Sequence, residues 1–247
     1  MTIDLRTLSG GTTAIPAERL AALKARVRGA VLTEDDEGYD DARNVWNGMI
    51  DRRPALIARC AGAADVRAVV DFAREAGALL SVRGGGHNIA GSAVCEGGVM
   101  IDLSPMKSVR IDPFSRTARV EPGVTLGEFD REAQSFGLVA PTGINSTTGI
   151  AGLTLGGGFG WISRKFGLTA DNLVSADVVT AEGRLVRAAE GENPDLFWAI
   201  RGGGNFGVVT SFELRLHELG PEVMSGLIVY PLSEAAGMLR RYRQIMA

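Results

Sequence analysis

The 247-residue sequence predicts an α+β fold on three observations. A strand–helix–strand unit over residues 54–83 ends in a run of glycines. Short β-rich runs follow it at close spacing, which is typical of antiparallel strands. The chain also has 33 glycines, nearly twice the usual share, and many of them gather in three clusters. Such clusters exclude a collagen-like repeat and indicate a backbone that passes close to a neighbour or a ligand.

Composition narrows the class of protein. Hydrophobic residues make up 45% of the chain and charged residues 22%, which excludes disorder. A net charge of −3 without a basic run argues against a nucleic-acid partner. Two cysteines and two histidines are too few for a disulfide framework or a metal cluster. Without a signal peptide or a long apolar run, we expect a cytoplasmic protein that binds no membrane and no metal.

The first elements follow from start and stop signals. Residues 16–29 predict a helix that begins at a proline and ends at a glycine, and the acidic residues 34–37 predict a solvated loop. The apolar run 54–60 predicts a strand, residues 63–77 have the spacing of a helix, and residues 79–83 predict a second strand.

Three β-rich runs then predict an antiparallel meander, at residues 97–104, 106–112 and 117–123. Thr125 is placed to cap a helix that ends at Gly137.

The last third of the chain predicts alternating strands and helices. Residues 173–188 predict a hairpin around Glu182 and Gly183, and residues 193–201 a short helix that begins at a proline. Residues 208–219 alternate in polarity, which predicts a strand with one buried face. A further strand, residues 225–233, and an amphipathic helix to residue 247 without a stop signal are predicted to begin a second domain.

Isolated cysteines, histidines and tryptophans have ordinary interpretations. Cys60 and Cys95 are expected to be small core residues, and His217 to be solvated on the outer face of its strand. The tryptophans are expected in the core, namely Trp46, Trp161 and Trp198.

The first glycine cluster, residues 81–92, leaves a predicted strand through three glycines. Glycines there let backbone N–H groups approach an anion such as a pyrophosphate, and His87 follows directly. A tight turn with a surface histidine explains these residues equally well.

The second and third clusters differ in what they allow. Residues 141–160 contain seven glycines and no charge, which suits a buried loop around a large polar ligand. Residues 202–207 match the pattern G-x-G-x-x-G. A helix precedes this third cluster and a strand follows it, the reverse of the usual dinucleotide-binding order, so that fold is excluded.

Four segments together resemble the FAD-linked oxidases of the berberine-bridge-enzyme-like group, with the FAD-binding domain of the vanillyl-alcohol-oxidase and p-cresol-methylhydroxylase superfamily. The segments are SVRGGGHN (81–88), TGINSTTGIAGLTLGGGFG (142–160), RKFGLTADNLVSADVVTAEG (164–183) and DLFWAIRGGGNFGVVTSFELRL (195–216). The resemblance covers residues 45–219 in the family's order and spacing.

The resemblance implies two lobes that hold FAD between them, with His87 bonded covalently to the 8α-methyl carbon of the flavin. It places Asn172 near the flavin ring and Val208 at the adenine end. The full set of cofactor contacts that it implies is Arg83, Gly84, Gly85, Gly86, His87, Asn88, Ser92, Thr142, Gly143, Thr147, Thr148, Gly149, Gly152, Gly156, Gly157, Gly158, Asn172 and Val208.

The sequence departs from the family in two ways. Some members attach the flavin a second time through a cysteine, and Asn145 occupies that position here, which predicts a single link. Relatives also continue through a full substrate domain. We therefore expect an N-terminal segment (1–48) with one helix, an FAD-binding domain (49–219) and the start of an incomplete substrate domain (220–247), with the catalytic base outside the chain.

The function implied is that of an FAD-dependent oxidase. A small organic substrate (a sugar, alcohol, amine or biosynthetic intermediate) would lose a hydride to the flavin, and oxygen would reoxidise the flavin to give hydrogen peroxide. Two alternatives remain open: a dehydrogenase with another electron acceptor, and a catalytically silent FAD-binding fragment that needs its missing second half, carried on a second chain.

Overall fold

The computed structural model describes residues 2–203, 205–224 and 226–247. The strands are β1 Ile3–Arg6, β2 Thr12–Ile15, β3 Ala30–Leu32, β4 Leu56–Arg59, β5 Leu80–Arg83, β6 Val99–Asp102, β7 Val109–Asp112, β8 Thr117–Val120, β9 Leu138–Val139, β10 Leu173–Val179, β11 Leu185–Ala189, β12 Val208–Arg215 and β13 His217–Glu218. The helices are α1 Ala17–Arg26, α2 Tyr39–Arg43, α3 Ala63–Ala76, α4 Leu126–Gln134, α5 Ile150–Leu155, α6 Ser163–Phe166, α7 Pro194–Ala199 and α8 Ala235–Met246. The α+β prediction is confirmed.

The first lobe is built on a four-stranded sheet in the order β3-β4-β6-β5. The predicted strand–helix–strand unit is confirmed as β4, α3 and β5, and β6 lies between the two strands and parallel to both. The prediction that β6 belongs to an antiparallel meander is therefore wrong. All four residues of β6 are buried, and a strand covered on both faces belongs inside a parallel sheet rather than in a half-exposed meander.

The second lobe is an antiparallel sheet in the order β11-β10-β12-β8-β7. The predicted β10–β11 hairpin is confirmed, with Gly183 at φ +75° in its turn. The helix predicted after Thr125 is confirmed as α4, because the backbone N–H and hydroxyl of Thr125 donate to Glu128 at 2.8 and 2.9 Å. Gly137, at φ +67°, lies beyond its end.

The two lobes share one hydrophobic core around α3. This helix contacts β6 on one side and β10 and β12 on the other. Val179 and Val208 of the second sheet lie in the same cluster as Leu56 of the first. The N-terminal hairpin joins this cluster through Leu5 and Ile15. Residues from both sides of position 48 thus pack together, and the division into domains stays a prediction.

Two segments differ from their predictions. The second glycine cluster contains a short helix, α5, rather than loop alone, because Ile150 and Ala151 are buried against the second lobe. The strand predicted over 225–233 is wrong for residues 226–231, which form no strand, because none of the described strands lies beside them as a hydrogen-bonding partner; Ser225 lies outside the described residues. Helix α8 follows as predicted, with an exposed apolar stripe.

Single residues gave mixed outcomes. Cys60 and Cys95 are buried and free, as predicted. The tryptophan prediction is wrong: Trp46, Trp161 and Trp198 are 59%, 76% and 75% exposed. Trp46 and Trp161 lie in connecting segments, and Trp198 lies on the outer face of α7, whose Phe197 packs into the core instead. None of the helices within the described ranges has both the length and the apolar character that a bilayer span requires.

Asp65 stabilises the junction between α1 and α3. Its buried carboxylate accepts three backbone N–H groups, from Arg28, Gly29 and Ala61, at 2.8–3.1 Å. We expect Asp65→Ala to lower the free energy of unfolding by about 3 kcal/mol, because three partly buried N–H groups would lose their charged acceptor. Asp35→Ala, on the exposed acidic loop, is the matched control and should change stability by less than about 0.5 kcal/mol in the same denaturant titration. Equal effects of both variants would contradict this role.

Candidate functional site

The first and second glycine clusters interlock at two glycines. A Cβ atom built on Gly85 would overlap the N and Cα atoms of Gly149, and one built on Gly149 would overlap the backbone of Gly85. Gly84 is nearly as confined, with a Cβ position 3.1 Å from the Pro122 carbonyl oxygen and 3.3 Å from the Ala151 Cβ. Only glycine permits this approach of two backbones, so the clusters form one structural unit.

The loop after β5 has an unusual supply of backbone donors. In the described part of the chain, the N–H groups of Gly85, Gly86, His87 and Asn88 donate to no backbone or side-chain acceptor. Gly86 adopts φ +71°, and its carbonyl accepts the N–H of Trp46 at 3.0 Å. Consecutive free N–H groups around a left-handed residue form a concave site for an anion.

His87 lies where the two clusters meet. Its Nε2 is 3.2 Å from the Thr147 hydroxyl, and its Nδ1 is 3.5 Å from the Thr148 hydroxyl. The ring also stacks on Trp46, with centroids 5.4 Å apart. Burial lowers the pKa of His87, and a hydrogen bond that the ring can donate to the Thr147 backbone opposes this shift. The imidazole is therefore neutral near pH 7, as a nucleophile must be.

Arg83 turns its side chain back into the protein. The guanidinium donates to the Ala42 carbonyl at 2.9 Å and lies 3.6 Å from the fully buried carboxylate of Asp102. Its Nε is buried without a partner in the described structure. The ion pair of Arg83 with Asp102 thus anchors the glycine loop to β6. Because this side chain points into the protein, only the backbone of Arg83 could contact an anion in front of the loop.

The second cluster is held against the segment that follows α6. A Cβ on Gly158 would overlap the Thr169 hydroxyl, and the N–H groups of Thr169 and Ala170 donate to the carbonyls of Gly158 and Gly157 at 3.0 and 2.9 Å. Thr142 is buried, with its hydroxyl 3.5 Å from Asp130, whose pKa is raised by burial. These contacts fix the backbone of the second cluster against the segment that precedes β10.

Asn172 is buried and fully hydrogen-bonded. Its amide donates to the carbonyls of Phe166 and Leu168 at 2.9 and 2.8 Å, and its Oδ1 lies 2.7 Å from Nε2 of His217. His217 also stacks on Phe166 at 4.1 Å, so the prediction that it is solvated is wrong. The α6 segment covers the strand face that alternation alone would leave to solvent. The side chain of Asn172 thus fixes the conformation of the segment 166–168 through these hydrogen bonds.

The remaining predicted residues are spread around this centre. Asn88 and Ser92 are exposed and linked by a 3.0 Å bond from the Ser92 N–H to the Asn88 side chain. Gly143, Gly152 and Gly156 belong to the second cluster, and a Cβ atom built on Gly152 would meet open space. Val208 is buried in the core shared by the lobes, so any ligand contact there would come from its backbone.

The third cluster borders a separate cavity of about 400 Å³, lined by Asp171, Trp198, Ala199, Arg201, Gly202, Gly203 and Phe206. The Gly202 N–H donates to the Leu155 carbonyl at 3.1 Å, which ties this cavity to the end of α5. Sequence reasoning missed Trp46 and Asp102 as neighbours of the site. Trp46 has no periodic or motif signal, and a lone aspartate at the end of a strand does not reveal its partner.

Fold and site together define a two-lobed domain with a row of free backbone N–H groups beside a neutral histidine. A family model described as an FAD binding domain matches residues 54–189. This chain belongs to that family of FAD-binding domains. FAD carries a pyrophosphate, and the free N–H groups of the glycine loop are donors of the kind such a group requires. The residues present therefore fit the cofactor.

Two comparisons with named proteins agree with this family. The chain is 44% identical over 216 residues to (R)-6-hydroxynicotine oxidase of Paenarthrobacter nicotinovorans. This alignment covers 86% of this chain and 47% of that protein. The crystal structure of 6-hydroxy-D-nicotine oxidase from Arthrobacter nicotinovorans superposes with a TM-score of 0.83 at 43% identity, covering 89% of this chain and 49% of that one.

A third comparison concerns the attached flavin. Glucooligosaccharide oxidase from Acremonium strictum, described with a 6-S-cysteinyl, 8α-N1-histidyl FAD, superposes with a TM-score of 0.76 at 35% identity. The match covers 81% of this chain and 42% of that one. The chain thus spans about half the length of the relatives it matches.

Substitution at the Gly85–Gly149 contact tests the interlock. We expect Gly85→Ala to lower the free energy of unfolding by about 1–3 kcal/mol and to weaken FAD binding, because the new methyl group must separate the two loops. Gly191→Ala is the matched control, since its Cβ would meet open space. Thermal unfolding and FAD titration measure both effects. Full FAD affinity in Gly85→Ala would contradict a cofactor site at this junction.

Proposed function

We propose that this chain holds FAD between its two lobes, attached through a single covalent bond to His87, and that this FAD serves an oxidase of small organic substrates. The observation that carries the proposal is the imidazole of His87, fixed by Thr147 and Thr148 beside a loop of free backbone donors. Bound FAD would supply a hydride acceptor for the substrate and a route for the electron pair to oxygen, giving hydrogen peroxide.

The chain's own residues bind and orient in this scheme. The N–H groups of residues 85–88 would hold the pyrophosphate, and the two threonine hydroxyls fix the rotation of the imidazole within its plane. The lowered pKa of His87 keeps a ring nitrogen unprotonated at neutral pH. The other residues of the second cluster, from Thr142 to Gly158, would enclose the ring system by main-chain contacts.

A single link follows from Asn145. Its side chain accepts the Thr147 N–H at 3.1 Å and the Thr147 hydroxyl at 2.9 Å, so it positions the threonine that contacts His87. An amide cannot form the thioether that a cysteine could form here. The glucooligosaccharide oxidase has both a cysteinyl and a histidyl bond, and we propose only the histidyl one for this chain.

The substrate is proposed at the level of class alone. The named relatives are oxidases, one of 6-hydroxynicotine and others of oligosaccharides, which supports a small organic substrate and oxygen as partners. Since the chain spans about half of these proteins, the activity of the whole enzyme is part of the proposal. A cytoplasmic location is also part of it, supported by two buried cysteines that stay free.

Replacement of His87 tests the covalent bond. After acid precipitation, we expect yellow flavin in the pellet of the native chain and in the supernatant of His87→Ala, because alanine has no nucleophile. Intact mass should show one FAD on the native chain, and peptide mapping should place it on His87. The matched control is His217→Ala, the only other histidine, which should keep its flavin in the pellet. Pellet-bound flavin in His87→Ala would contradict the assignment.

Reoxidation tests the oxidase. We expect the flavin absorbance of the chemically reduced protein to return rapidly on mixing with air-saturated buffer, with one hydrogen peroxide formed per flavin, because His87 is only half-buried and oxygen could reach a flavin attached there. Stopped-flow absorbance measures the rate, and free reduced FAD under the same conditions is the reference. A return slower than that of the free cofactor would favour the dehydrogenase.

A further inference from the structure

Trp46 lies on a segment, residues 42–50, that runs along the first glycine loop. Its backbone N–H donates to the Gly86 carbonyl at 3.0 Å, and the side chain of Asn47 donates to the Ile89 carbonyl at 2.9 Å. A Cβ on Gly91 would lie 2.8 Å from Ile50, so the two stretches are in close contact at both ends. The position of the Trp46 indole relative to His87 is therefore set by the backbone.

The stack fixes a motion of His87 that the threonines leave free. The indole and imidazole planes lie within 23° of each other, which restricts tilting of the ring, whereas hydrogen bonds to the two hydroxyls restrict rotation within the plane. Trp46 remains 59% exposed, so burial in a core does not explain its place. Contact with His87 does.

We propose that Trp46 is a positioning residue for flavin attachment, holding the imidazole so that a ring nitrogen faces the carbon it bonds. This inference rests on the proposed attachment at His87. Attachment forms one bond between a ring nitrogen and the 8α-carbon and breaks one C–H bond there. The imidazole and the methyl carbon each release a proton, and the electron pair of the C–H bond stays on the flavin until oxygen removes it and is reduced to hydrogen peroxide.

The surroundings of His87 make the rate of attachment depend on pH through this residue. It faces Trp46 from the 42–50 segment, Thr147 and Thr148 from the second cluster, and Asn88 within its own loop. None of these described neighbours is charged, and burial is what lowers the pKa. The rate should therefore rise with pH through the lowered pKa and level off above it, where the imidazole is neutral.

The test compares variants of residue 46 made in riboflavin-starved cells and mixed with saturating FAD. Acid-quenched samples give the rate of covalent incorporation by intact mass and protein-bound absorbance. We expect Trp46→Ala to be roughly two- to tenfold slower on the pH plateau, the factor that an aromatic pair is worth. Trp46→Phe should restore most of the rate. In Trp46→Ala, the pH at which the attachment rate reaches half of its plateau should also move upward, towards the ordinary pKa of histidine, because the imidazole is then more hydrated.

Controls separate this role from folding and from FAD binding. Met49→Ala, on the same segment and 87% exposed, should attach flavin at the native rate. Trp46→Leu keeps the apolar bulk of residue 46 without an aromatic ring, and it should attach flavin as slowly as Trp46→Ala. It also provides the test if the alanine variant fails to fold. A native rate in Trp46→Leu, or a change in FAD affinity alone, would overturn the inference. Absence of covalent flavin in the native chain, or its persistence in His87→Ala, would instead overturn the proposed function.

Discussion

The contact between the backbones of Gly85 and Gly149 is the constraint on which the rest of the site depends. It brings the loop after β5 against the segment before α5, and so places residues 60 positions apart in one contact, His87 with Thr147. The first loop belongs to the parallel lobe and the second packs on the antiparallel lobe. A side chain at either glycine would force the two loops apart and separate the hydroxyls from the imidazole.

The charged side chain nearest the glycine loop, that of Arg83, does not face the site. The arginine next to the glycines pairs with Asp102 inside the protein, and the loop presents backbone N–H groups rather than a cation. Fixed dipoles bind an anion without the entropy loss of a long side chain. They also leave the histidine uncharged, because a nearby cation and a nearby carboxylate are both absent from its described neighbours. The same short loop can therefore offer N–H groups to an anion and keep the imidazole of His87 neutral, as a nucleophile must be.

Much of the fold could be predicted from local patterns, and the limits have physical causes. Helix α4 and the β10–β11 hairpin carry their own start and turn signals, so sequence alone located them. Strand β6 was assigned to the wrong sheet because pairing depends on partners distant in the chain. For the site, glycine spacing and the family resemblance predict His87 as the attachment residue, which stays a prediction. They did not reveal that Trp46 stacks on it or that His217 bonds to Asn172, since both contacts join segments far apart in sequence.

The strand order of the first lobe has a consequence for the order of folding. Because β6 lies between β4 and β5, the strand–helix–strand unit cannot close by itself; its two strands are joined only when β6 pairs with both. The glycine loop begins the connection from β5 to β6, so the pairing of these two strands fixes both ends of that connection. Non-local pairing of this kind is a slow step for a polypeptide. The position of the glycine loop therefore depends on pairings between strands that are distant in sequence.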